Sequence, residues 1–346
     1  MNQRVLHLPV NISNQAWLLV RGLRETGWSA DALFYRSNRF AYQGAPAGLL
    51  DRPGCGPAWF ESLRAFLARA GRYDIFHFHF GHTFFSNPVD LELLRRLGKV
   101  TLMHYWGSDI RFYSRAGAAN PRLRERLPAE ARSERKKARR ARRVAGRVRA
   151  CLSADLELDG YLAPFFRRRY RLPQALDPGE YPCAPPPARK ARPLVLHSPS
   201  NPGLKGSDFI SRAVESLRAS GRDFDFVQLQ GVPNRQVRAA LKEADIVIDQ
   251  LLLGTYGIFA LEAMASGKPV ICFINPGYRP GYPDDLPLVS AGPDDLRAVL
   301  AGLLDDGAGR FRLGEAGRAY VERHHDFRRV AERLVGIYQD LCEDPA

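Results

Sequence analysis

One stretch of the chain, residues 244–274, limits the possible folds more than any other. It predicts a buried strand at residues 246–248 and then a glycine loop at residues 254–257. A helix at residues 258–265 and a second buried strand at residues 270–274 follow. Gly267 stands where a helix C-terminal cap belongs, and Pro269 lies just beyond it. This order is typical of the right-handed crossover that joins two neighbouring strands of a parallel sheet.

The same stretch also suits the binding of a phosphate group. A glycine loop lets the backbone approach a ligand closely, and the helix that starts behind Gly257 presents free N–H groups and a partial positive charge. Glu262 lies about one turn into this helix, where its carboxylate could accept hydrogen bonds from sugar or ribose hydroxyls. An ordinary crossover with a surface glutamate has the same pattern, so the stretch alone leaves both interpretations open.

Residues 254–270 resemble the donor-site signature of GT-B glycosyltransferases of family 4 (group 1). In that family, two glutamates separated by seven residues precede Ala-Met-Ala-x-Gly-x-Pro-Val; the second is Glu262 here, and Gly254 stands in place of the first. The resemblance implies that Tyr256, Gly257 and Ile258 bind the donor diphosphate and that Glu262 holds its ribose. The glycine at 254 implies either a different contact to the sugar or an inactive, binding-only relative.

Length and composition are those of a two-domain globular protein. The chain has 346 residues, its five cysteines are scattered, and it enters a strand at once from Arg4. No run of about 18 apolar residues occurs. We therefore expect a cytoplasmic α/β protein without a signal peptide, and the resemblance implies the GT-B fold, with two Rossmann-like domains facing across a cleft. Residues 1–175 are predicted to form the acceptor-side domain, and residues 176–193 a proline-rich linker. Residues 194–325 are predicted to form the nucleotide-sugar domain, and residues 326–346 a helix that crosses back to the first domain.

Two further blocks carry the resemblance. The buried strand at residues 100–103 ends in His104-Tyr105-Trp106-Gly107-Ser108-Asp109-Ile110-Arg111, which is similar to the family's HGSDxR block. The resemblance implies that His104 faces the acceptor and the reacting sugar, and Asp109 beside it is a further candidate catalytic residue. The loop at residues 198–206 is similar to the segment whose lysine neutralises the donor diphosphate. Lys205 matches that lysine, whereas Ser200 and Asn201 stand where the family has an arginine. The resemblance also places Gly231 and Val232 beside the nucleobase.

Two patterns raise the question of a metal. His77, His79 and His82 follow one another along a strand and its loop, and Asp223-Phe224-Asp225 forms a DxD triplet. No carboxylate or cysteine lies close in sequence to the histidines, and one DxD triplet directly before a strand is weak evidence. We predict no metal and no cofactor other than the nucleotide-diphosphate sugar that serves as the donor.

Most of the excess positive charge lies in one segment. Residues 115–149 hold 14 Lys and Arg against 3 Glu, while the whole chain has 51 Lys and Arg against 37 Asp and Glu. Alanines and valines recur at helical spacing from residue 138 to 148, so residues 122–148 predict a helix with a narrow apolar stripe and a broad cationic face. A solvated surface helix and a contact with an anionic membrane both remain open. Nucleic-acid binding is disfavoured because no aromatic stacking set interleaves the charges.

The predicted function is transfer of a sugar from a nucleotide-diphosphate sugar to an acceptor hydroxyl without a metal, and the resemblance implies that the anomeric configuration is retained. The acceptor could be a glycan, a lipid-linked glycan or a small molecule. A nicotinamide dehydrogenase is excluded because residues 8–15 lack Gly-x-Gly-x-x-Gly after the first strand. A sugar-nucleotide epimerase and a non-catalytic nucleotide-sugar-binding relative remain as alternatives.

Overall fold

A computed structural model of the protein describes residues 3–37, 42, 44–51, 58–125 and 134–343. The chain divides into two compact units: residues 1–112, 132–175 and 327–346 form the first, and residues 113–131 and 176–326 form the second. Residues 113–131, which the sequence analysis placed in the first domain, group with the second unit. The cause is local, because Leu123 is buried in a core cluster of the second unit and Asn120 Nδ2 donates to Leu252 O at 2.8 Å.

Within its described residues, the first unit has one parallel sheet of six strands and six α-helices. The strands follow the spatial order β2-β1-β3-β4-β5-β6, and they are β1 (Arg4–Leu8), β2 (Ser29–Ala32), β3 (Ile75–His79), β4 (Val100–His104), β5 (Ala150–Ser153) and β6 (Arg169–Arg171). The helices are α1 (Gln15–Glu25), α2 (Ala58–Leu67), α3 (Val89–Arg96), α6 (Glu134–Ala145), α7 (Leu156–Leu162) and α14 (Phe327–Glu343), numbered along the whole chain.

Alternate strand residues divide the first unit into two hydrophobic layers, as expected for a sheet covered on both faces. On one face, Phe76 and Phe78 of β3 share a core cluster with buried residues of α2, α3, α6 and α7. On the other face, Ile75 of β3 shares a cluster with residues of α1 and α14. The prediction that the terminal amphipathic helix returns to the first domain is confirmed by this second layer.

The second unit has a parallel four-stranded sheet in the order β10-β9-β7-β8. Its strands are β7 (Leu194–His197), β8 (Asp225–Gln228), β9 (Ile246–Ile248) and β10 (Val270–Ile271). Its helices are α4 (Tyr113–Ala119), α5 (Pro121–Arg124), α8 (Pro202–Lys205), α9 (Ser207–Ala219), α10 (Asn234–Glu243), α11 (Ile258–Ala265), α12 (Leu296–Asp305) and α13 (Gly307–His324). The crossover predicted from residues 244–274 is present: β9 and β10 are buried, parallel neighbours in the sheet, and the largely buried helix α11 connects them, although β10 ends at Ile271 and not at residue 274.

A glycine allows α1 and α14 of the first unit to pack closely against each other. A Cβ atom at Gly22 of α1 would lie 2.6 Å from Ala331 Cβ and 2.6 Å from Phe327 O, both in α14. Any larger residue at this position would push the two helices apart, so the glycine lets the backbones approach.

The prediction for the basic segment is wrong in detail. The single basic helix predicted at residues 122–148 is interrupted, since the structure has α5 and α6 there, and residues 126–133 lie outside its described part. No helix within the described ranges is both long and apolar enough to span a bilayer.

Candidate functional site

The carboxyl edge of the second sheet brings together the loops after β7, β9 and β10. The Lys205 ammonium lies 2.6 Å from Oδ1 of Asp249, the residue that follows β9. The other oxygen of Asp249 accepts from the Gly257 amide at 3.0 Å. Gly257 is the N-cap of α11, so the amides of Ile258 and Phe259 in the first turn have no acceptor within the helix. The positive side chain of Lys205 therefore lies next to the N-terminus of α11, an arrangement that favours the binding of an anion.

The remaining predicted donor-site residues of the polar loops lie at the same edge. Asn201 caps the short helix α8, because its Oδ1 accepts from the Leu204 amide at 3.2 Å, and Ser200 beside it is exposed. Gly231 has a left-handed backbone (φ 70°) in the turn after β8. Val232 is the next residue and packs partly against the core. The structure leaves the backbone of this turn accessible next to the strand end.

Glu262 is buried inside the second unit and is held by two donors. Its Oε1 accepts from Tyr181 Oη and from Asn234 Nδ2, each at 2.9 Å. The amide of Asn234 therefore faces this carboxylate instead of capping its own helix. Glu262 is 2% exposed, so it is not the surface residue of an ordinary crossover.

Tyr256 lies next to Gly257, but its side chain turns into the interior. Its hydroxyl is 3.0 Å from Tyr320 Oη and 3.0 Å from His325 Nε2. Any contact of this residue with a ligand would therefore come from its backbone.

The first unit places His104 at the carboxyl end of β4, as predicted, but below the surface. The residue is fully buried, and neither ring nitrogen has a hydrogen-bond partner among the described residues. Trp106, which directly precedes the glycine of the block, stacks on His104 with ring centroids 3.8 Å apart. Burial lowers the pKa of His104 well below its usual value of 6.5, so its ring is neutral at physiological pH.

Asp109 and Arg111 shape the loop that follows β4. The Asp109 carboxylate accepts from the amides of Trp106 (3.1 Å) and Gly107 (2.8 Å), so it closes the loop on itself. Burial raises the pKa of Asp109 to about 6. Arg111 makes a bidentate pair with the buried carboxylate of Glu157, both contacts at 2.6 Å. Both residues therefore hold the loop in place.

Three histidines of the first unit, His7, His77 and His79, form a hydrogen-bonded row with Trp106 and Tyr338 beneath this loop. Trp106 Nε1 can only donate, and it donates to His79 Nδ1 at 3.1 Å. The neutral His79 then carries its proton on Nε2, which lies 3.0 Å from His7 Nδ1. His7 Nε2 in turn donates to Tyr338 Oη at 3.1 Å, and that hydroxyl donates to His77 Nδ1 at 2.7 Å. One indole therefore fixes the tautomer of every ring in the row.

The same histidines are the ones that could be considered for a metal. The nitrogens of His7, His77 and His79 lie within 4.8 Å of one another. The rings of His77 and His79 are stacked, with 9° between their planes. A metal would have to lie in the planes of both rings, which parallel stacked rings do not allow without rotation. His82 lies outside the row, in the loop after β3.

The second candidate for a metal site is the DxD triplet. The carboxylates of Asp223 and Asp225 in this triplet both pair with Arg192.

Comparisons with known proteins find similarity to glycosyltransferases. Residues 208–336 match the model of a family described as glycosyl transferase-like. The chain is 40% identical over 85 residues to the GDP-mannose-dependent monoacylated alpha-(1-6)-phosphatidylinositol monomannoside mannosyltransferase of Corynebacterium glutamicum, which covers 24% of this chain and 22% of that protein. Its matches to curated relatives cover between 22% and 36% of their lengths.

The solved structures extend the likeness to the whole chain. Sucrose-phosphate synthase from Thermosynechococcus elongatus has a TM-score of 0.67 at 15% identity and covers 98% of this chain and 99% of its own. Anabaena HepE in complex with UDP and glucose has a TM-score of 0.59 at 11% identity, over 98% and 100%. The fold is therefore GT-B, as predicted.

Residues 208–336 are therefore similar to a glycosyl transferase-like family, and the whole chain has the GT-B fold. The structure explains why position 254 is a glycine. Gly254 has a φ of 81°, and a Cβ atom there would lie 2.8 Å from Asn275 Cβ. The loop conformation of this chain thus excludes the family's first glutamate on steric grounds.

Sequence reasoning missed three residues of these clusters: Asp249, His7 and Trp106. Asp249 follows a buried strand at the carboxyl edge of a parallel sheet, a position that could have marked it as a site residue. His7 also lies near the carboxyl end of its strand, and its alignment with His77 depends on the sheet order. Sequence spacing alone does not show that order.

Proposed function

We propose that this protein transfers a sugar from a nucleotide-diphosphate sugar to an acceptor hydroxyl, as a retaining, metal-independent transferase of the family 4 type. The observation that carries the proposal is the meeting of the Lys205 ammonium with the N-terminus of α11 at one edge of the second sheet. The name of the corynebacterial relative, which is GDP-mannose-dependent, and the UDP complex of HepE support a nucleotide-sugar donor.

The proposed chemistry follows from where charge develops. When the bond between the anomeric carbon and the diphosphate breaks, negative charge grows on the leaving group. Lys205 and the amides of Ile258 and Phe259 are in place beforehand, so they stabilise this charge most in the transition state. No metal is then needed to neutralise the diphosphate.

The other donor contacts follow from the same placement. Ser200, Asn201 and the backbone of Tyr256 and Gly257 would line the phosphates. In this proposal the Glu262 carboxylate, which accepts from Tyr181 and Asn234, also contacts the ribose. Gly231 and Val232 would border the nucleobase, because the turn after β8 lies at the same sheet edge.

On the acceptor side, we assign the sugar and acceptor contacts to the loop after β4. Asp109 holds this loop through two backbone amides. Because His104 lies under Trp106, its proposed part is to support the indole and the reacting sugar from below.

The experiment that tests this function is Lys205→Ala, with Lys242→Ala as its control. Lys242 is an exposed lysine of the same unit. Sugar transfer and donor hydrolysis are measured with UDP- and GDP-sugars, with and without acceptor. We expect loss of Lys205 to lower turnover by about a hundredfold, since a preorganised charge contact to a transition state contributes about 3 kcal/mol, and the control to stay within about threefold. Turnover of Lys205→Ala within about threefold of wild type would refute the phosphate role.

We further propose that the first unit meets an anionic membrane where its acceptor is lipid-linked. Helix α6 buries only Ala141 and Val144, and its exposed residues are Arg135, Lys136, Arg139, Arg140, Arg142 and Arg143. Helices α2 and α3 bury residues in the same core cluster as α6. They expose large apolar side chains, among them Trp59 (68%) and Leu67 (68%) of α2. Cations beside exposed aromatic and aliphatic side chains are typical of surfaces that bind anionic bilayers.

Vesicle binding tests this surface. Arg139→Glu with Arg143→Glu on α6 is compared with Arg329→Glu with Arg333→Glu, an equally spaced pair of exposed arginines on α14. We expect the α6 pair to weaken binding to phosphatidylglycerol vesicles at least tenfold, because each basic residue near an anionic surface contributes about 1 kcal/mol. The α14 pair should bind nearly as wild type does. Equal loss in both pairs would show a general charge effect and no dedicated surface.

A further inference from the structure

We propose that Asp249 is a positioning residue for the donor diphosphate, acting through Lys205. Its two carboxylate oxygens contact different groups of the anion site: Oδ1 lies 2.6 Å from Lys205 Nζ, and Oδ2 accepts from the Gly257 amide at 3.0 Å. One buried side chain thus connects the loop after β7 with the start of α11. This role rests on the proposed function, because it assigns Asp249 to the same site.

The backbone fixes Asp249 on both sides. Its amide donates to Ile271 O at 2.9 Å, which ties it to the neighbouring strand. Two residues later, the Leu251 amide donates to Lys205 O at 3.1 Å. The Asp249 side chain is fully buried. An ion pair with one partner held this firmly restricts the flexible partner, so the long lysine side chain is ordered before any ligand arrives.

Lys205 keeps donors free in this arrangement. An ammonium group carries three N–H donors, and Asp249 is the hydrogen-bond acceptor that the structure gives it in the described residues. Its side chain is 14% exposed, so the ammonium still reaches solvent. The Gly257 amide is already used by Asp249, which leaves the amides of Ile258 and Phe259 for the phosphate. The carboxylate thus sets the position of the charge without occupying every donor of the site.

A competing role would give the opposite result. A carboxylate that merely fills the anion site of the empty protein would have to leave before a diphosphate could bind, and its removal would tighten binding. A positioning carboxylate stays in place, and its removal weakens binding. The full burial of Asp249 favours the second role, because a displaced buried carboxylate would lose both of its hydrogen bonds.

A double-mutant cycle tests this inference. Binding of UDP and GDP is measured by calorimetry for wild type, Asp249→Asn, Lys205→Met and the double variant. If Asp249 acts through Lys205, Asp249→Asn weakens binding about tenfold when Lys205 is present and less than about twofold when it is replaced, since coupled residues in contact are not additive. Asp249→Ser provides a second neutral side chain that can still accept from the Gly257 amide.

The chain offers a matched control in Asp245, just before the same strand. Asp245 is also buried, and its Oδ2 contacts Lys190 Nζ at 2.5 Å and the Leu194 amide at 2.7 Å. Asp245→Asn should lower the melting temperature much as Asp249→Asn does, yet leave nucleotide affinity unchanged. A purely structural role for Asp249 would make the two variants alike in both measurements.

The outcomes separate the two proposals. If wild type binds neither nucleotide, the proposed function fails and the role of Asp249 fails with it. If wild type binds and Asp249→Asn binds equally well or more tightly, only the role of Asp249 is overturned. Should Asp249→Asn not fold, Asp249→Ser and the double variant decide by the same comparison, and equal affinity of Asp249→Ser and wild type also overturns the role.

Discussion

The hydroxyl of Tyr338, on the last helix of the chain, lies 2.7 Å from Nδ1 of His77, on a central strand of the first sheet. It also accepts from His7 Nε2 at 3.1 Å. Both histidines are fully buried, and burial lowers the pKa of His7 to about 3. A single phenol thus satisfies two neutral imidazoles on neighbouring strands.

Replacing Tyr338 by phenylalanine should therefore destabilise the protein strongly. The change leaves His7 Nε2 and His77 Nδ1 without partners, and each buried unsatisfied group costs about 1–3 kcal/mol. We expect the free energy of unfolding to fall by about 2–5 kcal/mol in a urea titration. Tyr73→Phe is the control, since the Tyr73 hydroxyl contacts Asp31 in a partly exposed site. A loss as large in Tyr73→Phe as in Tyr338→Phe would contradict the importance of the buried pair.

The pH dependence of stability can be tested at His104. Its pKa lies well below 6.5 in the folded protein because of burial, whereas an unfolded histidine titrates near 6.5. The unfolded chain therefore binds one more proton below that pH, and stability falls as the pH decreases, by up to about 1.4 kcal/mol per pH unit. His104→Phe removes the imidazole that binds this extra proton in the unfolded chain. Between pH 7.5 and 5.5 we expect the variant to lose about 1 kcal/mol less stability than wild type.

The comparison of wild type with His104→Phe isolates the titration of His104. Burial raises the pKa of Asp109 to about 6 and that of Asp155 to about 7, so these carboxyls favour the folded state as the pH falls. Both are present in wild type and variant, and their effects cancel in the difference. Identical pH dependence of the two proteins would mean that His104 is protonated in the folded state.

The steric role of Gly254 has a matched control in Gly221. Both residues have left-handed backbones, with φ of 81° and 84°, but an added Cβ meets Asn275 at 2.8 Å only at Gly254. Gly221→Ala should cost about 1–2 kcal/mol from backbone strain alone. Gly254→Ala should cost about 1–3 kcal/mol more, because overpacking adds to it. Equal values in thermal unfolding would show that the loop relaxes around the new methyl group.

Replacing Gly22, at the contact between α1 and α14, and replacing Gly160, away from it, should change the free energy of unfolding in opposite directions. Gly22→Ala should destabilise the protein by about 1–3 kcal/mol, since the methyl group would overlap α14. Gly160 lies within α7, and an added Cβ there meets nothing within 4 Å. Gly160→Ala should be neutral or stabilise by up to about 1 kcal/mol, because alanine favours the helix. Chemical denaturation of both variants checks the two signs, and a stabilised Gly22→Ala would contradict the packing.

The sequence predicts the elements with strong local patterns. The crossover at residues 244–274 has apolar runs, a glycine loop and a capped helix in succession, and the structure has all of them as β9, α11 and β10. The terminal amphipathic helix is equally clear, because Phe327, Val330 and Leu334 recur at helical spacing and are buried.

Contacts between distant parts of the chain could not be predicted in this way. The row of histidines depends on the sheet order that places β1 beside β3, and on a tyrosine 261 residues after His77. The pair of Lys205 and Asp249 joins two loops 44 residues apart. Asn234 looks like a helix cap in sequence, but the buried carboxylate of Glu262 takes its amide. In each case a tertiary partner, invisible to local spacing, decides where the polar group points.

The return of α14 to the first unit also sets an order of events during synthesis. The ribosome makes the six strands of the first sheet early, yet the helix that covers one of their faces is the last to emerge. At about 5–20 residues per second, the intervening segment takes roughly ten seconds or more. Throughout that interval, the sheet face that carries His7 and His77 is not yet covered by α14. The second unit can therefore finish folding before the first.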